Sequence, residues 1–86
     1  MKLQTWLRKQ GFDITAQVND EGVLELWVNE KEDSAEPVVI LYEVVQRDGS
    51  AWRIGNIYST FKHGDLASEY SIRRAVKNNT FIKHWA

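Results

Sequence analysis

The sequence of 86 residues contains no cysteine, one proline and two histidines. A chain without cysteine has neither a disulfide framework nor a thiolate metal site, so packing alone must stabilise this fold. Neither His63 nor His84 has a second ligand or a nucleophile at the spacing of a known catalytic or metal motif. We therefore expect a protein that is not an enzyme, with no catalytic residue, no metal and no cofactor.

Long apolar runs are also missing. The longest mainly apolar segment, VVILYEVVQ from Val38 to Gln46, is far shorter than the about 18 apolar residues that a membrane helix needs. Charged and polar residues follow Met1 within a few positions, which is not the pattern of a secretory signal peptide. The sequence thus predicts a cytoplasmic protein that does not contact membranes.

The net charge of −1 is unevenly distributed. Residues 1–46 contain four cationic and nine acidic side chains, whereas residues 47–86 contain seven cationic and three acidic ones, giving −5 and +4. Such asymmetry is typical of a surface for nucleic acid or a charged partner, but two halves of opposite charge can also attract each other within one fold. At this length we expect one domain over residues 1–86.

A short helix and a hairpin are predicted at the start of the chain. Leu3, Trp6 and Leu7 follow helical spacing, which predicts a helix at about residues 2–10. Apolar and polar residues alternate over residues 12–18 and again over residues 24–29, with Gly22 in the turn between them. The expected register places Val18 opposite Leu24, Ala16 opposite Leu26 and Ile14 opposite Val28.

A second hairpin and a second helix are predicted further along. The two runs on either side of Asp48-Gly49 predict strands joined by a turn at these two residues, with Val45 opposite Trp52 and Glu43 opposite Ile54. Helical spacing returns between Asp65 and Asn78, as one helix or two short ones, with Asp65 and Ser68 as rival N-caps. The fold class predicted is α+β, in the order αββββα, with a four-stranded antiparallel sheet of two hairpins packed by both terminal helices.

Trp27 is the largest apolar side chain in an unexpected place. In the strand LELWVN it points away from Leu24, Leu26 and Val28, so it shares a face with polar residues. Either the C-terminal helix or the tail from Phe81 to Trp85 covers it, or it is exposed and anchors a partner.

From this we predict a small non-catalytic module that binds a protein partner with a basic surface, or a second copy of itself. The indole would supply affinity and nearby carboxylates would steer the approach. The predicted binding residues are Trp27, Val23, Glu25, Glu30, Glu32 and Asp33.

The alternative prediction is a nucleic-acid-binding domain that uses Arg53, Arg73, Arg74 and Lys77. Aromatic residues lie between these cations, as in proteins that stack bases and neutralise phosphates. The sequence pI of about 6.1 argues against it, because dedicated nucleic-acid binders have values above about 9. Glu43, on an apolar strand, is the best candidate for an unusual carboxylate, with a salt bridge to Arg53 or to a helix cation as the structural alternative.

Overall fold

The computed structural model describes residues 1–32 and 35–83. It is an α+β domain with two helices and a five-stranded antiparallel sheet whose strands lie side by side in chain order. The elements are α1 (Leu3–Lys9), β1 (Asp13–Val18), β2 (Leu24–Asn29), β3 (Val39–Gln46), β4 (Gly49–Asn56), β5 (Leu66–Ser68) and α2 (Glu69–Lys77). The predicted fold class is confirmed, and the predicted strand number is one too low.

The sheet has two unlike faces. On one, the helical face, residues of all five strands pack in a single core with Leu3 and Leu7 of α1 and Ile72 of α2. These strand residues are Ile14, Leu26, Val28, Val39, Leu41, Trp52, Ile54 and Ala67. The opposite face, which we call the open face, carries Asp13, Thr15, Gln17, Glu25, Trp27, Ile40, Tyr42, Val44, Ala51 and Arg53. Both helices thus lie on the same side of the sheet.

The first hairpin has the predicted register. Val18 pairs with Leu24, Ala16 with Leu26 and Ile14 with Val28. Gly22 takes a φ of +79°, and its N–H donates to the Asn19 carbonyl. This bond closes a loop of three residues, 20–22, in which Gly22 takes the bulge position.

The second hairpin is displaced from its predicted register by two residues. Gln46 pairs with Gly49, so Arg47 and Asp48 form the turn, and Glu43 lies opposite Trp52 instead of Ile54. A turn centred on Asp48-Gly49 would need a positive φ at both residues, but only Gly49 has one, at +131°. Because the displacement is an even number of residues, every side chain keeps its predicted face.

The segment predicted to begin the second helix contains the missing strand. Leu66–Ser68 is β5, which pairs with β4 and places Ala67 opposite Trp52. Ser68 then caps a single helix, its side chain accepting from the Ser71 N–H. Three residues are too few to show a strand period, so the sequence pattern assigned them to the helix that follows.

The C-terminal segment closes the core. Phe81 is 2% exposed and contacts the rings of Phe12 and Phe61 in edge-to-face geometry. The chain is held there by the Ser59 hydroxyl, which donates to the Phe81 carbonyl at 2.7 Å. The tail thus docks on the core through Phe81 and Ile82, whereas His84 and Trp85 lie outside the described residues. No helix in the described part of the chain is long and apolar enough to cross a membrane.

Candidate functional site

Trp27 lies on the open face, half-buried, on the second strand from the edge of the sheet. It is paired with Thr15 on β1 and with Ile40 on β3. Helix α2 packs on the helical face, so the helix does not cover the indole. Cover of Trp27 by the C-terminal helix is therefore wrong. Of the tail, Phe81 and Ile82 pack in the core with the helices, and residues 84–86 lie outside the described residues.

A hydrogen-bond network fixes the indole beside Glu25. The Trp27 Nε1–H donates to Glu25 Oε1 at 3.0 Å, and the Gln17 side chain donates to the same oxygen at 3.1 Å. The Asn19 side chain donates to Glu25 Oε2 at 2.9 Å. These bonds, that from Trp27 first, lower the pKa of the Glu25 carboxyl below its ordinary value of 4.5.

This network predicts an acid-sensitive contribution to stability from Glu25. Because the folded state lowers the pKa of Glu25, its ionised form stabilises the fold above the ordinary pKa of 4.5. The contribution is lost as the pH falls through the lower, folded-state pKa. We expect Glu25→Gln to have a lower thermal midpoint than the unmodified chain at pH 7, and a difference that shrinks below pH 4.5.

Thermal melts of both chains across pH 2 to 8, with carboxyl carbon chemical shifts reporting the titration of Glu25, would check this. Glu21→Gln is the matched control, because Glu21 is an exposed carboxylate in the adjacent turn. An equal pH dependence for the two variants would contradict the prediction.

An apolar row continues from Trp27 across the open face. Ile40, Tyr42 and Val44 follow one another on this side of β3, all half-buried. A Cβ placed on Gly55 would come within 2.8 Å of Tyr42 Cε2, so the tyrosine ring lies against the bare glycine backbone. This row was not predicted as a site, although the strand period places its residues on one face of β3.

The other predicted binding residues lie at the two ends of β2. Val23 lies in the turn before β2, where its N–H donates to Asn19 Oδ1 at 3.0 Å. Glu30 and Glu32 follow the far end of β2, about 20 Å away at the rise of a β-strand. Glu30 lines a cavity on the side of the helices, with Phe12 and Phe81. Asp33 lies outside the described residues. Of the predicted set, the structure brings together Glu25 and Trp27.

The four predicted nucleic-acid-binding cations are also divided. Arg53 lies on the open face and donates to the Gly64 carbonyl at 3.0 Å, whereas Arg73, Arg74 and Lys77 belong to α2 on the opposite side. Arg73 is bound within the fold: it donates to the Met1 carbonyl at 2.7 Å and lies 5.2 Å from the centre of the Trp6 ring. Arg74 and Lys77 remain exposed beside Tyr70.

The remaining candidates for chemistry have structural partners. Glu43 accepts a hydrogen bond from the Ser50 hydroxyl at 3.0 Å, and it lies on the face opposite Arg53, so the expected salt bridge to Arg53 is absent. His63 Nδ1 accepts from the Asn56 backbone N–H at 3.1 Å. Within residues 1–32 and 35–83, no three His, Cys, Asp or Glu side chains are grouped to hold a metal ion.

Comparison of the chain with models of known protein families, with curated proteins and with solved structures gave no match. The function is therefore argued from the open face itself.

Proposed function

We propose that this domain is a small non-catalytic module that binds a protein partner through the open face. The observation that carries the proposal is the apolar row of Trp27, Ile40, Tyr42 and Val44 on a side of the sheet where neither helix packs. In a domain this small, large side chains are normally placed where the fold buries them. Four large side chains in a row, on a face that no described helix covers, have the composition of a binding surface.

The charge beside the row favours a basic partner. Glu25 is held ionised by three neutral donors, none of which cancels its negative charge. A carboxylate in this state attracts an arginine or lysine of a partner that approaches Trp27. Rigid aromatic anchors next to a fixed charge are also the residues that dominate binding energy in protein interfaces. A cytoplasmic location and the absence of catalysis stay predictions.

Two neighbouring valines of β3 offer a matched test. Val44 belongs to the open face, while Val45 is 79% exposed on the other side of the sheet. We expect Val44→Lys and Trp27→Ala to lose the partner in quantitative pull-downs from extracts of the source cells, and Val45→Lys to retain it. The recovered partner is then titrated into each variant by calorimetry, where truncation of a central aromatic anchor costs about 2 kcal/mol or more.

Thermal midpoints must be measured on the same variants. A large loss of stability in Trp27→Ala would make the indole an ordinary structural residue and refute its role as an anchor. Equal retention of the partner by Val44→Lys and Val45→Lys would equally refute the proposal.

One observation keeps the nucleic-acid alternative open. Tyr70 is 72% exposed and lines one surface pocket with Arg74 and Lys77, which places an aromatic ring beside two cations. Binding of single-stranded oligonucleotides that weakens steeply with salt, and that is lost in Tyr70→Ala, would favour this function over protein binding.

A further inference from the structure

The outer edge of β1 exposes unpaired backbone groups. The Asn19 N–H donates to the Val23 carbonyl at 2.9 Å, so Asn19 directs its backbone groups at the neighbouring chain segment. In an antiparallel pair this direction alternates, and Gln17 and Thr15 therefore also face β2. The N–H and C=O groups of Ile14, Ala16 and Val18 point outward. The Ile14 carbonyl shows this directly, since it accepts from Arg8 Nη2 at 3.0 Å.

This edge differs from the other edge of the sheet. The opposite edge strand, β5, has three residues and runs directly into α2, which limits what can pair with it. Strand β1 has six residues and contains neither proline nor lysine, two of the features that normally prevent edge pairing. Arg8 binds the Ile14 carbonyl, and no described residue hydrogen-bonds to the outward groups of Ala16 and Val18. An edge left open in this way is a template for another strand.

We propose that a second copy of this chain pairs with β1 through its own β1, in antiparallel orientation, with Ala16 opposite Ala16. The two-fold axis then passes between the two alanines, and the two sheets join into one of ten strands. This contact uses the main chain of the edge and does not depend on Trp27 binding a partner.

The register follows from the outward groups. Pairing Ala16 with Ala16 places Ile14 of each copy opposite Val18 of the other, so all three outward residues meet outward residues. Any displacement along the edge leaves at least one of them without a partner. The central alanine pair forms two hydrogen bonds free of Arg8, which contacts only the Ile14 carbonyl.

The side chains are compatible with self-pairing. On the open face Thr15 meets Gln17 of the second copy, so no like charges are opposed within the paired residues. On the helical face Val18, which is 66% exposed, lies next to Ile14 of the second copy. The pairing therefore covers an apolar side chain that the monomer leaves in water.

Single-cysteine variants test the register, because the chain has no cysteine of its own. Two Cα atoms in a hydrogen-bonded antiparallel pair are about 5.5 Å apart, within the range of about 4.4–6.8 Å for disulfides. We expect Ala16→Cys to form a disulfide-linked dimer under mild oxidation. Val18→Cys is the matched control: the two Val18 positions lie about 13 Å apart in this register, too far for a disulfide.

Sedimentation analysis of the unmodified chain tests the association itself. We expect a concentration-dependent dimer that Ala16→Pro weakens at least about tenfold, because proline removes the central outward donor. The bonds between β1 and β2 do not involve this N–H, so Ala16→Pro keeps the fold, as its circular dichroism will show. A dimer lost in Val44→Lys but not in Ala16→Pro would place the contact on the open face and overturn the proposal. A chain that stays monomeric, or equal crosslinking of the two cysteine variants, would overturn it too.

Discussion

Replacing Phe81 with alanine is expected to lower the free energy of unfolding by about 3–5 kcal/mol. The ring is 2% exposed and contacts Phe12 and Phe61, with centroid distances of 5.8 and 6.0 Å. Edge-to-face aromatic pairs add to the transfer energy of the buried ring, and the surrounding core can close only part of the cavity. A domain of this length has a total stability of about 4–13 kcal/mol, so the variant would lose about a quarter or more of it.

Urea unfolding followed by tryptophan fluorescence would measure this effect. Tyr70→Ala is the control, since it removes an aromatic ring that is 72% exposed and should change stability by less than about 0.5 kcal/mol. If Phe81→Ala unfolds at the same urea concentration as Tyr70→Ala, the C-terminal segment is not part of the core.

The second large effect is expected at Asn56, where β4 ends. Its side chain accepts from the Ser59 N–H at 2.6 Å and donates to the Phe61 carbonyl at 2.7 Å, and so holds the loop that leads to β5. Asn56→Ala leaves the Ser59 N–H and the Phe61 carbonyl without a partner in a partly buried position. Each backbone group that water does not reach lowers the free energy of unfolding by about 1–3 kcal/mol. We expect a total loss of about 2–6 kcal/mol.

The two bonds can be separated with Asn56→Asp, which keeps an acceptor for Ser59 but loses the donor to Phe61. We expect Asn56→Asp to lose part of the stability that Asn56→Ala loses, in urea unfolding. Asn78→Ala, at the exposed end of α2, is a control of the same chemical change. A loss in Asn56→Ala no larger than in Asn78→Ala would show that the loop does not need this side chain.

Local patterns predicted the first hairpin because two independent signals agree there. Alternation decided which residues face the core, and Gly22 fixed the length of the turn, so the register followed. In the second hairpin both strands are apolar on both sides, and a displacement by two residues conserves every face. The glycine there follows the turn instead of occupying it, and a single sequence does not distinguish these two positions.

The candidate site was only partly predictable for a similar reason. Alternation showed that Trp27 points away from Leu26, but not whether the C-terminal helix would cover it. That choice depends on long-range packing, as does the position of Glu30 on the helix side. Glu25 and Trp27 are two residues apart on one strand, so their proximity follows from the strand period. The donors from Gln17 and Asn19 could be found only from the hairpin register.

Arg73 joins the beginning and the end of the chain. Its guanidinium binds the Met1 carbonyl and lies over Trp6, so the two helices, which come from opposite ends of the sequence, are connected to each other. Each of the five described strands, in contrast, pairs with its neighbours in sequence. The contact between α1 and α2 therefore has the largest entropic cost of loop closure in this fold, whereas each hairpin can form locally. We expect the amides of α1 and α2 to exchange with solvent deuterium as one cooperative unit, ahead of those in the central strands.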